Sequence, residues 1–106
     1  MLWELLDPEI LAEVDVYWAA VAGQDPAEVL ERLGERAVTA HLKDGPAVLD
    51  APQTAIGTGV VDIPAALRAG GHLRWHITEI DGTDTERFNL LAANRQELLN
   101  GSLTAP

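Results

Sequence analysis

Apolar and polar positions along the chain follow two periods, and the changes between them mark the elements. From Leu11 to Trp18 the segment closes on Val14-Asp15-Val16-Tyr17-Trp18, β-branched and aromatic residues interleaved with an acid, which predicts a buried strand with one polar face. Asp25-Pro26-Ala27-Glu28 supplies an N-cap, a proline at the first helical position and an acid at N3, and Gly34 ends that helix after Leu33. Ala37 to Leu42 returns to period two, with Val38, Ala40 and Leu42 on one face and Thr39 and His41 on the other. From Lys43 to Gly59 the residues are largely Gly, Pro, Ala, Asp and Thr without a period, a loop long enough to predict an active-site role. Asp62 caps a short helix through Ala69, and Gly70-Gly71 breaks it. Leu73 to Glu79 then reads as a third strand with Leu73, Trp75, Ile77 and Glu79 on one face. Thr83 and Glu86 form a capping box for a last helix that carries Phe88, Leu91, Ala92, Leu98 and Leu99 and stops at Gly101; Ser102 to Pro106 is expected to fray.

The order strand, helix, strand, loop, helix, strand, helix implies right-handed crossovers and an α/β fold of three parallel strand-helix units. Ligands in such sheets sit at the carboxyl ends of the strands, where Asp15, His41 and Glu79 fall. Two carboxylates and one imidazole suit a divalent metal such as Mn²⁺, Mg²⁺ or Zn²⁺ without selecting among them. The plainer alternative is a pair of solvated acids at strand ends beside a hydrogen-bonded core histidine.

Composition narrows the classes. The 106 residues, 47% of them hydrophobic, fit a single domain over 1–106 and exclude disorder throughout. The absence of cysteine removes disulfides, zinc-thiolate sites and a thiol nucleophile, so a metal must be held by carboxylate or imidazole. Seven basic residues against 17 acidic ones, a net charge of -10 and a single lysine make nucleic acid and anionic lipid poor partners. The opening Met-Leu-Trp-Glu-Leu-Leu-Asp-Pro lacks the basic flank and apolar stretch of a signal peptide, and no apolar run is long enough to span a bilayer. The expectation is a cytoplasmic chain with no membrane contact.

Four segments carry a resemblance. Val14-Asp15-Val16-Tyr17-Trp18, His41-Leu42-Lys43-Asp44, Gly57-Thr58-Gly59-Val60-Val61-Asp62 and Glu79-Ile80-Asp81, in that order, resemble the carboxyl-terminal part of the sugar phosphate isomerase/epimerase family, xylose-isomerase-like TIM barrels. The resemblance runs from about Leu6 to Leu99 and implies a partial TIM barrel. It implies that Asp15, His41 and Glu79 are three of four metal ligands, and that Glu79 is also a catalytic acid/base beside a metal-stabilised ene-diolate. The fourth ligand, a glutamate from the preceding strand and the partner acid/base, has no counterpart here. Lys43 is expected to meet an anionic or hydroxyl-rich substrate from the barrel mouth or else to be a solvated loop cation, and Trp18 to stack on a sugar face or simply to pack. Asp44 is read as orienting a neighbour or a water, Asp81 as a turn residue beside Gly82, and His72 as exposed. Thr58, where the family often has glutamate, departs from the pattern. So do His76 and Thr78, a polar pair on the face that meets helices and in need of hydrogen-bond partners.

A closed barrel has eight such units in about 250 residues, so three units leave a sheet open, with Tyr17, Thr39, Trp75 and Ile77 on its bare face. The implied partners are an amino-terminal half-barrel chain or further copies of this one, and the implied substrate is a small sugar or sugar phosphate. The chain alone is expected to be inactive. The alternatives are a non-catalytic sugar- or metal-binding piece, a protein-docking fragment, or a truncated remnant.

Overall fold

In the computed structural model, which describes residues 2–106, four helices begin where a carboxylate takes up N–H groups that a first turn leaves unpaired. The chain runs α1 (Leu2–Leu5), β1 (Ala12–Asp15), α2 (Val16–Val21), α3 (Pro26–Leu33), a 3-10 turn (Gly34–Arg36), β2 (Ala37–Leu42), α4 (Ile63–Ala69), β3 (Trp75–Thr78) and α5 (Arg87–Asn100). Asp25 caps α3 through Ala27 N–H, Asp62 caps α4 through Ala65 N–H, and Glu86 caps α5 through Phe88 and Asn89 N–H.

The fold is α/β around an open parallel sheet ordered β1-β2-β3, as the alternation of elements predicts. Its register sets Asp15 beside His41 and His41 beside Ile77. One face is dry. Val14, Ala40 and Leu42 pack there with Leu30 and Leu33 of α3, Ile63, Ala66 and Leu67 of α4, and Leu98 of α5. The opposite face carries Glu13, Thr39, His41 and Trp75, and Trp75 is 71% exposed.

Five expectations need correction. The first strand stops at Asp15, because that carboxylate accepts Trp18 N–H and starts α2, so Val16, Tyr17 and Trp18 are helical. Tyr17 accordingly leaves the open face and is buried in the core, its hydroxyl accepting Ala47 N–H. Leu73 precedes β3 and packs against the core, although ladder bonds still run from Arg74 N–H to Val38 and from Glu79 N–H to Leu42. In α5 the buried positions are Leu90, Asn94 and Leu98, Phe88 is exposed, and Thr83 donates to the Gln53 carbonyl instead of joining a capping box. Finally, the tail is docked: Leu103 N–H donates to Leu98, and Thr104 Oγ1 lies 2.7 Å from His76 Nδ1. That contact supplies the partner His76 needs, and burial lowers its pKa toward the neutral ring. His72 is exposed, as expected.

The long loop is wound around a single carboxylate. Asp44 is fully buried; its Oδ1 accepts Gly45 and Val61 N–H at 2.8 and 3.1 Å, and its Oδ2 accepts Gly57 and Gly59 N–H, both at 3.0 Å. Asp44 therefore orients its own loop. Gly57 has a φ of 95°, and a Cβ on Gly59 would lie 2.2 Å from Asp44 Oδ1. Gly59→Ala is expected to cost roughly 1–3 kcal/mol in urea unfolding, as overpacking does. Gly71→Ala, where a Cβ meets nothing within 4 Å, is expected to cost far less.

Candidate metal centre

The parallel register brings strand ends together, and the site follows from that. Asp15 closes β1, His41 is its neighbour on β2, and Glu79 lies one residue beyond β3. One ligand atom from each, all half-buried, falls within 4.8 Å of the others, so the three residues the sequence points to are assembled and can hold a metal ion. Asp15 serves two structures at once: Oδ1 caps α2 at 3.0 Å, and Oδ2 faces His41 Nδ1 at 3.5 Å. Glu79 Oε2 lies 3.7 Å from the same nitrogen.

The imidazole is held from behind. Its Nε2 lies 3.2 Å from Glu13 Oε1, and Glu13 Oε2 accepts the Thr39 hydroxyl at 2.8 Å. Glu13 fixes the ring from the Nε2 side and directs Nδ1 at Asp15 and Glu79, the orientation that ligating histidines commonly have. By donor chemistry and by this orientation, the residues fit a divalent ion. Sequence reasoning missed Glu13, although it sits two positions before Asp15 and so on the same strand face.

Lys43 is not a cation at the mouth. It is 1% exposed, and its ammonium lies 2.5 Å from Asp15 Oδ2 and 3.0 Å from Asp81 Oδ2, with Glu79 Oε2 also in contact. Burial works against its charge, but the hydrogen bonds to Asp15, Glu79 and Asp81 outweigh that and raise its pKa above the ordinary lysine value. Its donors are engaged by these three carboxylates.

Asp81 does more than turn the chain. Its Oδ2 accepts from Lys43, from Trp18 Nε1 at 2.8 Å and from Gln53 Nε2 at 3.3 Å, while its N–H donates to Gln53 Oε1 at 2.8 Å. Trp18, 37% exposed, is thereby tied to the rim and meets Tyr17 edge-on at 5.6 Å. Gln53 is buried in the aperiodic loop, and nothing in the sequence pattern singles it out. A cleft of about 360 Å³ opens beside the cluster, lined by Trp18, Asp50, Gln53, Asp81 and Asp84, in the size range of small-molecule sites. A larger cavity of about 580 Å³, lined by Trp3, Val29 and Leu33 among others, shares no residue with the cluster.

No protein-family model matches the chain, and no curated protein matches it. Among the described residues, no helix is long and apolar enough to cross a membrane.

Partial burial pushes the Asp81 carboxyl up, but hydrogen bonds from Lys43 and Trp18 dominate and hold its pKa at about 2 against the ordinary 3.8. A carboxyl so depressed adds stability that is present above about pH 4 and is lost as pH falls toward 2. Urea unfolding of Asp81→Asn is therefore expected to show a shallower loss of stability than the wild type across that interval. The difference should be modest, because the side chain is 42% exposed and screened by solvent.

Proposed function

We propose that this chain is the carboxyl-terminal part of a sugar isomerase- or epimerase-type TIM barrel and contributes Asp15, His41 and Glu79 to its divalent metal. One observation carries the reading: an aspartate, a histidine and a glutamate converge within 4.8 Å at the ends of three neighbouring parallel strands, in the chain order of that family's last three ligands. A Mn²⁺, Mg²⁺ or Zn²⁺ ion, when bound, supplies Lewis-acid polarisation of adjacent sugar oxygens. Glu13 orients His41, and Glu79 is the group that moves a proton at its carboxylate, which requires release from Lys43. Trp18 offers a ring at the rim for a sugar face. Of a small sugar and its phosphate, the adjoining cleft favours the neutral sugar, since its lining includes Asp50, Asp81 and Asp84 and no lysine or arginine. Metal or sugar binding without turnover is the second reading, favoured because the two other carboxylates of the cluster, Glu13 and Asp81, are engaged by His41 and Lys43.

The bare sheet face supports the partial-barrel reading. Trp75 is 71% and Ile77 36% exposed, and more strands, from an amino-terminal half-barrel chain or from another copy, are the cover that a barrel interior needs. If copies cover one another, the wild-type chain sediments above monomer mass and Trp75→Asp returns it to monomer. A monodisperse wild-type monomer would exclude that route and leave the separate half as the cover.

Thermal unfolding with excess Mn²⁺ tests the metal. Ion at about 100 times its dissociation constant is expected to stabilise the fold by about 2.7 kcal/mol, and His41→Ala should abolish the shift. An unchanged melting curve in both the wild type and Lys43→Met, which lacks the ammonium on the ligand oxygens, would reject the metal reading.

A further inference from the structure

The oxygens that face His41 Nδ1 are already committed. Asp15 Oδ2 and Glu79 Oε2 are the atoms nearest that nitrogen, and they are the same two atoms that the Lys43 ammonium engages. A divalent ion bound by Asp15, Glu79 and His41 needs those atoms at about 2.0–2.6 Å. The ammonium already stands 2.5 Å from Asp15 Oδ2. Two cations cannot occupy positions that close, since their repulsion in a half-buried site is large.

We propose that Lys43 is a tethered cation that holds the metal-free site together and must withdraw before a divalent ion enters. The inference rests on the metal reading above. Lys43 is placed for this from both sides. The next residue, Asp44, is fixed by four backbone N–H groups, which anchors the lysine backbone. Asp81, at the rim and 42% exposed on its side chain, is the one carboxylate in contact with the ammonium that is not in the ligand triad. It can retain the ammonium after Asp15 and Glu79 let go. Four carboxylates, Glu13, Asp15, Glu79 and Asp81, surround one ammonium and one imidazole. Without Lys43 they would repel one another, and with it they exclude a competing ion. Metal affinity is then the intrinsic affinity reduced by the displacement of the lysine.

The test is Mn²⁺ titration of the full chain, followed by loss of the free-ion signal in electron paramagnetic resonance, for the wild type and for Lys43→Met, Lys43→Gln and Lys43→Arg. The neutral variants are expected to bind Mn²⁺ roughly 5- to 150-fold more tightly than the wild type, the usual range for coupled binding events, while the arginine variant stays weak. Their metal-free melting temperatures should fall below that of the wild type, and Mn²⁺ should raise them by more. Binding by the neutral variants alone would support the proposal in its strongest form. Equal or weaker affinity in the neutral variants, with a wild type that binds, would overturn it and leave the metal reading standing. No binding by any of the four proteins would remove both. Should the neutral variants be unfolded without metal, folding on addition of Mn²⁺ would support the exchange of one cation for the other, and failure to fold would overturn it.

Discussion

A lysine ammonium removed from water is tolerated only where carboxylates replace its hydration, and around Lys43 that requirement links segments far apart in the chain. Asp15 is the last residue of β1, Glu79 follows β3, and Asp81 lies in the turn beyond it. Each must approach one nitrogen atom, so the ends of the outer strands are drawn toward the end of β2, from which Lys43 extends. The loop that follows is fixed by a second ionic device of a different kind. Asp44, also buried, has no cation in contact among the described residues and is satisfied by four peptide N–H groups, which makes the Gly57-Thr58-Gly59 segment close tightly around it. Adjacent residues of opposite charge thus organise opposite sides of the same strand end.

These two solutions differ in what they permit. Asp44 is satisfied by backbone that cannot leave without unwinding the loop, so its arrangement is rigid. Lys43 is satisfied by side chains, two of which have another candidate partner in His41 and a metal. Peptide donors therefore serve structure here, and side-chain charges are left available for exchange. The hydrogen bond from Trp18 to Asp81 follows the same division, since it ties the start of α2 to the rim through a side chain rather than through backbone.

Much of the fold was legible because the signals are local. Asp25-Pro26, Asp62 and Glu86 mark helix starts by their own chemistry, and the period-two runs mark β2 and most of β3. The convergence of Asp15, His41 and Glu79 was legible once parallel strands were inferred, because topology alone puts strand ends together. Val16-Tyr17-Trp18 misled because a short apolar run suits a strand and a buried helical turn equally, and only the Asp15 cap decides between them. Lys43 misled for another reason. Lysine is seldom buried, and its contacts with Asp15 and Asp81 span 28 and 38 positions, which no local pattern encodes. Asp81 beside Gly82 carried a genuine turn signal that concealed a second role.

The bare sheet face and the acidic cluster share an edge, and that has an energetic consequence. Glu13, Thr39 and His41 lie on the same face as Trp75 and Ile77, so whatever covers the aromatic residue also takes water from the carboxylates. Glu13, its side chain half exposed beside Thr39, loses hydration under such a cover, which is costly unless a positive charge arrives with it. In the proposed barrel, closure of the sheet and occupation of the cation site would be coupled through these charges. A face with Trp75 and no acids could be covered by any apolar surface. This one demands a cover that brings a cation or leaves the carboxylate corner open to solvent.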